Sequence, residues 1–324
     1  MIFTRLISST GTSNNNGIRN IKMASQLVHI PEVERLSPAC IRILGGNPGK
    51  FTLQGTNTYL IGTGPRRLLI DTGEGKPSWI AALRRTLDEE KATVHQALIT
   101  HWHPDHVKGI PHLLEHSPQT TIHKHDPGEG QLDVADGQTF EVEGATLTAV
   151  HTPGHTADHM SFVFREEDAL FTGDNVLGQG TAVFEDLGLY LGSLARMQGL
   201  VSGRAYPGHG PVVPEARTRI SEYISHRRQR EAQVLQTLGS SPRDPSTSPS
   251  RDSPPAAATA AAADAPLGAW TPMELVRVIY RDIPDNLHVP AAGGVVQILR
   301  KLLSEDKVVL EDGDRWRLKG GPSL

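Results

Sequence analysis

The order of apolar and polar positions divides the chain into segments of different character. From 32 to 238, short β-branched runs alternate with amphipathic ones. RRLLIDTG (66–73) and HQALITH (95–101) are apolar runs that end in polar residues, as buried strands do. Between them Ile80, Leu83 and Leu87 recur at helical spacing and predict a helix over 77–91. Further strand patterns fall at 120–125, 138–150, 161–165 and 169–173. They are followed by a helix over about 187–202, a strand near 204–206 and a long charged helix over 214–238. Strands and helices interleaved without a strict βαβ period predict a layered α/β domain at 32–238, with two sheets between helices.

The flanks differ. Residues 1–31 contain no Asp or Glu and carry Arg5, Arg19 and Lys22 among Ser, Thr and Asn. This flexible N-terminus reads either as a mitochondrial transit peptide or as a polar tail ahead of a start at Met23. At 239–266 Ala, Ser and Pro take over, and no aromatic or large aliphatic residue remains. Such a segment cannot bury enough apolar surface to offset its ordering entropy, so a disordered linker is expected. Pro254, Pro255 and Pro266 oppose a helix through its Ala run. Order resumes at Trp270. Thr271, Pro272 and Glu274 make a capping-box start, and Met273, Val276, Ile279 and Tyr280 form an apolar stripe behind it. A second helix is expected at about 292–305, then two strands in 307–318 joined at Asp312–Gly313. Helices followed by a hairpin predict a winged-helix-like domain at 267–324. Its eight basic and eight acidic side chains cancel, which suits a packing or docking module better than a DNA-groove reader.

Composition narrows the chemistry. The 324 residues include one cysteine, Cys40, and 15 histidines, with a net charge of −4. One cysteine excludes a disulfide framework and any zinc module built on cysteine pairs, and Cys40 reads as a core residue. No run of about 18 apolar residues is present, so no membrane span is expected. The near-neutral charge argues against attachment to nucleic acid by bulk electrostatics. No phosphate-binding glycine loop of nucleotide enzymes is present.

The densest cluster of chemistry is HWHPDH, directly after HQALITH. Residues two apart on an extended segment face the same way, so His101 and His103 can grip one ion. A turn at Pro104 brings Asp105 and His106 round to a second. Imidazole and carboxylate at this density suit zinc or a similar transition metal. Three further ligand candidates stand at strand ends: His155 in HTPGH, Asp174 in LFTGD and His209 in AYPGH. Five His and two Asp suffice for two adjacent metals, and the Asp174 carboxylate can offer one oxygen to each. His151 reads as a strand-end histidine without metal, and His123 and His125 as members of a solvated strand. His159 is a candidate to line the site.

HWHPDH, TPGH (152–155), TGD (172–174) and PGHG (207–210), in this order, resemble the metallo-β-lactamase superfamily. The resemblance implies a four-layer αβ/βα sandwich with two Zn2+ ions at the sheet edges. His101, His103 and His155 would bind one, Asp105, His106 and His209 the other, and Asp174 would bridge. Asp71 in LIDTG would orient a ligand. The stretch 47–73, VFEDL (183–187) and the C-terminal module narrow the likeness to two groups. These are the mitochondrial β-lactamase-like endoribonucleases (the β-lactamase-like protein 2 group) and the fungal lactamase-like thioesterases acting on acyl carrier protein.

Two zinc ions would hold a water and lower its pKa toward neutrality for attack on carbon or phosphorus, with Asp105 positioning it. Asn57, Asn175 and His159 are expected to line the substrate space. GDNVLG (173–178) resembles the thioesterases, where the endoribonucleases often have Cys at the position of Asn175. Gly208 departs from the thioesterases, which often have Ala there. The charge balance favours thioester or ester cleavage, with acyl carrier protein as partner. Single-stranded RNA is the alternative substrate, and mitochondrial matrix and cytoplasm both stay open. Arg217, Arg219, Arg227, Arg228 and Arg230 of the 214–238 helix could receive RNA or an acidic carrier protein, but read rather as a solvated face with Glu215, Glu222 and Glu231.

Overall fold

A computed structural model describes residues 27–240, 268–282, 284–285 and 288–320. The transit-peptide reading (1–31) and the linker reading (239–266) fall mainly on residues 1–26 and 241–266, outside that set. The first sheet is built from β1 (Val33–Ser37), β2 (Cys40–Leu44), β3 (Asn57–Ile61) and β4 (Arg66–Ile70), then β5 (Thr93–Ile99) and β6 (Thr121–Lys124). Its order is β1-β2-β3-β4-β5-β6, antiparallel up to β4 and parallel from β4 to β6. Helix α1 (Pro77–Glu90) crosses between β4 and β5. Two short helices, α2 (Pro104–Val107) and α3 (Ile110–His116), fill the crossover from β5 to β6. Each of these three helices begins with proline at its first or second position, where the missing N–H costs nothing.

The second sheet comprises β7 (Thr139–Val142), β8 (Ala145–His151), β9 (Met160–Phe164), β10 (Ala169–Gly173) and β11 (Ala205–Pro207), in the order β11-β10-β9-β8-β7. The single run expected at 138–150 is therefore a hairpin. Gly144 at φ +75 makes its turn, a backbone state that L side chains rarely adopt. Helices α4 (Leu187–Gln198) and α5 (Ala216–Leu238) follow.

Alternation along the strands fixes the layers. Leu68 and Ile70 of β4, with Tyr59, Ile61 and Leu98, meet Phe140, Phe162, Phe164, Phe171 and Tyr206 between the sheets. Leu69, Leu60, Ala97 and Ile99 point the other way, onto Trp79, Leu83 and Leu113 of α1 and α3. Leu170 of β10 faces Leu194, Ile220 and Tyr223 of α4 and α5. The result is the αβ/βα sandwich, and Cys40 is buried in its inter-sheet core.

The C-terminal module contains α6 (Pro272–Ile279), α7 (His288–Ser304), β12 (Val308–Glu311) and β13 (Arg315–Leu318). Both bonds of the Thr271–Glu274 capping box are present. Helix α7 begins about a turn earlier than the apolar pattern alone placed it. Leu275, Val295, Leu299, Leu302 and Trp316 share one apolar cluster with α4 and α5, so the module docks through its core rather than by charge. Among the described residues no helix is long and apolar enough to cross a membrane. Because Leu299 is fully buried in that shared cluster, Leu299→Ala should lower unfolding free energy by about 2–5 kcal/mol in denaturant titration.

Candidate metal centre

All the candidate ligands emerge at one edge of the sandwich because the strands that deliver them run in one direction. The parallel pair β4 and β5 ends at Asp71 and, two residues beyond β5, at His101. β8 and β10 share a direction, since each is antiparallel to β9, and β10 is parallel to β11. Their ends lead to His155, Asp174 and His209. The last two loops approach closely at Gly208: a Cβ there would stand 2.3 Å from Asp174 Oδ1 and 3.1 Å from the Gly173 carbonyl.

The donors form two groups, His101–His103–His155–Asp174 and Asp105–His106–His209, each with ligand atoms within 4.8 Å of one another. In the first, His101 Nε2 lies 3.0 Å from His103 Nδ1 and 3.3 Å from His155 Nε2, and the last two are 3.1 Å apart. Ligands about 2.0–2.1 Å from a tetrahedral zinc stand about 3.3 Å apart, so these three nitrogens have the spacing of a coordination face. In the second, Asp105 Oδ2 is 3.3 Å from Nε2 of both His106 and His209. Asp174 reaches both groups: Oδ2 is 3.7 Å from His155 Nε2 and 3.1 Å from His209 Nε2, and Oδ1 is 3.5 Å from His106 Nε2. Buried His106 Nε2 and Asp174 Oδ1 have no hydrogen-bond partner. A divalent cation supplies what these inward-facing lone pairs lack, so the donor set fits the metal that the sequence resemblance implies.

Outer hydrogen bonds set the tautomers. Asp71, buried and in the left-handed region at φ 59, accepts from His106 Nδ1 at 2.7 Å and from Thr100 Oγ1 at 2.9 Å. With its proton committed there, Thr100 Oγ1 accepts from His101 Nδ1 at 2.9 Å. His155 Nδ1 donates to the Val183 carbonyl at 2.8 Å. With Nδ1 committed outward, each ring presents Nε2 as its inward, ligating nitrogen. Burial, with His106 and His155 nearby, holds the His101 imidazole well below its usual pKa, and burial with His155 lowers that of His103. Burial also opposes charge on His106 and His209, but carboxylates outweigh it. Asp71 and Asp174 raise His106, and Asp174 and Asp105 push His209 up to about 9. Burial resists ionisation of Asp105 and Asp174, yet the same two histidines keep both carboxyls well below the usual range.

The family model for the metallo-β-lactamase superfamily matches residues 51–209, and that for the β-lactamase-associated winged helix domain matches 271–316. Lactamase-like protein adaB of Aspergillus niger is 43% identical over 304 residues, covering 92% of each chain. The chain belongs to the metallo-β-lactamase superfamily. Another relative, the atrochrysone carboxyl ACP thioesterase of Aspergillus chevalieri, is 42% identical over 302 residues, covering 91% of this chain and 92% of that one. A β-lactamase domain protein from Burkholderia ambifaria superposes with a TM-score of 0.70 at 17% identity, over 92% of this chain and 96% of that one, and shares the fold.

In this metallo-β-lactamase fold the seven ligand candidates come together, and Asp71 stands behind two of them. The expectation that Asn57, Asn175 and His159 line the substrate space is not met, because all three are fully buried behind the cluster. Asn57 Nδ2 donates to the carbonyls of Pro207 and Gly210, stapling the loop that carries His209. Asn175 Nδ2 donates to the Thr152 carbonyl, and His159 Nε2 accepts from the Asp174 backbone N–H. His123 is buried against Phe140 rather than solvated. His151 donates to or accepts from no ligand candidate; its Nε2 meets the Ala157 carbonyl. Sequence reasoning missed Thr56, whose Oγ1 donates to Asp105 Oδ2 at 2.9 Å while accepting from Asn47 Nδ2 at 3.0 Å. It also missed Thr100. Their only signal was position, one in the QGTNTYL stretch and the other beside His101.

Two expectations follow for metal binding. Asp71→Asn should weaken zinc binding about 10–100-fold in a competitive chelator titration, because His106 loses the acceptor that fixes its ring. Protons raised on His106 and His209 must leave before those nitrogens can coordinate, whereas His101 and His103 are already neutral. Zinc added to metal-stripped protein near pH 7.5 should therefore release roughly two protons in weak buffer, chiefly from the Asp105–His106–His209 group, and affinity there should fall as pH falls.

Proposed function

We propose that the chain is a dinuclear zinc hydrolase that cleaves acyl thioesters carried on acyl carrier protein. His101, His103 and His155 would hold one ion, Asp105, His106 and His209 the other, with Asp174 shared. The observation that carries the reading is the wall of the cavity above this cluster. Its volume is about 420 Å³, and Phe51, Leu53, Leu177, Ala182 and Val183 supply apolar surface beside the ligands. Among the described residues Lys50 is the only Lys or Arg in that wall. A neutral thioester with an apolar acyl chain fits such a wall, whereas single-stranded RNA brings a phosphate at each nucleotide and calls for basic side chains along its path. The name of the Aspergillus chevalieri relative supports the same substrate class.

Bound divalent metal would acidify a water and polarise the thioester carbonyl. The chain's own part is positioning. Asp105, ionised and held by Thr56, accepts a hydrogen bond from the attacking water and turns its lone pair toward the carbonyl carbon. A carbon–oxygen bond forms, the carbon–sulfur bond breaks, and the thiol departs with a proton from the water. Apolar residues of the wall hold the acyl chain and keep bulk solvent from it.

Hydrolysis of an acyl-carrier thioester, followed by thiol release with the zinc-loaded protein, should fall about 10²–10⁴-fold in Asp105→Asn. Asp174→Asn should abolish it together with part of the zinc content. RNA cleavage lost in Asp174→Asn, with thioester hydrolysis intact, would overturn the assignment.

A further inference from the structure

A second cavity, of about 480 Å³, adjoins the first, and Thr181, Ala182 and Val183 belong to the walls of both. One side is α5, with His226, Arg227 and Arg230. The other is the winged helix, with Tyr280, Gly293 and Gly294. A Cβ at either of these glycines would meet nothing within 4 Å, so the α7 face leaves open space. Among the described residues no Asp or Glu lines this cavity.

The two arginines are half-buried, each over an aromatic ring. The Arg227 guanidinium lies 4.7 Å over the Phe184 ring, and that of Arg230 lies 4.6 Å over Tyr280. Among the described residues neither meets a carboxylate at ion-pair distance. Arg227 Nη2 donates to the Ala182 carbonyl at 2.6 Å and its Nε is buried without a partner; Arg230 Nη1 donates to Gln233 Oε1 at 2.9 Å. Neighbouring cations are paired: Arg219 with Glu222, and Lys301 and Lys307 with Glu231 and Glu305. Glu222, Glu231 and Glu305 are thus already taken. Guanidiniums removed from water without a counter-ion are unfavourable, and their planar forks match phosphate oxygens. Burial, aided by the two arginine charges, keeps the neighbouring His226 below its usual pKa, in line with a positive field.

We propose that this second cavity is a phosphate subsite, and that Arg230 and Arg227 there bind the phosphodiester joining the substrate's flexible arm to its carrier protein. The proposal rests on the thioesterase reading. Along such a substrate an apolar acyl group, a thioester, an uncharged arm and a phosphate follow in order. On the protein the arginine cavity adjoins the metal-site cavity through the shared 181–183 segment, so a substrate whose thioester lies at the metal cluster can reach the arginines with its phosphate. Arg227 also holds that segment, whose Val183 carbonyl accepts from the metal-site residue His155. Arg230 has no such tie, so it is the side chain to test.

The measurements compare acyl-phosphopantetheine with acyl-pantetheine thioesters, identical except for the phosphate. For the zinc-loaded wild type, kcat/KM should favour the phosphorylated form by about 10–100-fold. Arg230→Gln should bring the ratio close to one, and Arg230→Lys should restore part of it. A wild-type ratio near one, or a ratio untouched by Arg230→Gln, would overturn the subsite. If neither thioester is hydrolysed, the thioesterase reading fails, and calorimetry judges the subsite separately. Phosphopantetheine binding that exceeds pantetheine binding and is lost in Arg230→Gln supports it. Loss of single-stranded RNA binding in that variant, with no phosphopantetheine binding in wild type, assigns the cavity to RNA and overturns the proposal.

Discussion

Lone pairs aimed at one another are the constraint on which this fold is organised. Three imidazole nitrogens stand 3.0–3.3 Å apart, and each outer hydrogen bond ensures that the inward atom is the unprotonated one. Such an arrangement does not stabilise itself, since acceptors facing acceptors gain nothing and are buried from water. It must be imposed by the scaffold and rewarded by a cation. Asp71 is where the imposition is concentrated. From one strained backbone position it fixes His106 directly and His101 through Thr100, and so ties one ligand of each group to the end of β4.

Strand direction explains how distant residues reach this edge. Ligands separated by more than a hundred positions converge because β5, β8, β10 and β11 deliver their ends to the same side of the two sheets. Hydrogen bonds between backbones then lock the loops: Gly208 N–H donates to the Gly173 carbonyl, and Asn57 N–H to that of Gly208. The Asn57 side chain adds two more bonds to the His209 loop. Polar residues buried here serve as fastenings, which is why they look like site residues in sequence but touch no solvent.

That difference marks the limit of what the sequence made legible. The candidate ligand set was visible because each member combines a side chain able to bind metal with the end of an apolar run, both local properties. The sandwich was visible through period-two runs such as 66–70, whose alternate residues face two different cores. Burial depth was not local. Asn175 and His159 lie near ligand candidates in sequence, and Asn57 stands in the QGTNTYL stretch, yet packing places all three behind the cluster. His123 was misread for the same reason, since only its pairing across the inter-sheet core reveals Phe140. The short strands β1 and β2 gave too little pattern to be distinguished from the loop that follows them.

Charge on α5 shows the same limit in a more useful way. A sequence with Arg219, Arg227, Arg228 and Arg230 among several acids describes a solvated helix face. In three dimensions Glu222 is taken by Arg219 and Glu231 by lysines of the winged helix, while Arg227 and Arg230 lie over aromatic rings. Docking of the C-terminal module is therefore apolar in its area but selective in its charge, because it withdraws acids from the interface and leaves two cations. A module with no net charge can in this way contribute a positive wall beside the metal centre. Its balance of eight acids and eight bases excludes a broad nucleic-acid surface without excluding a single, well-placed anion site.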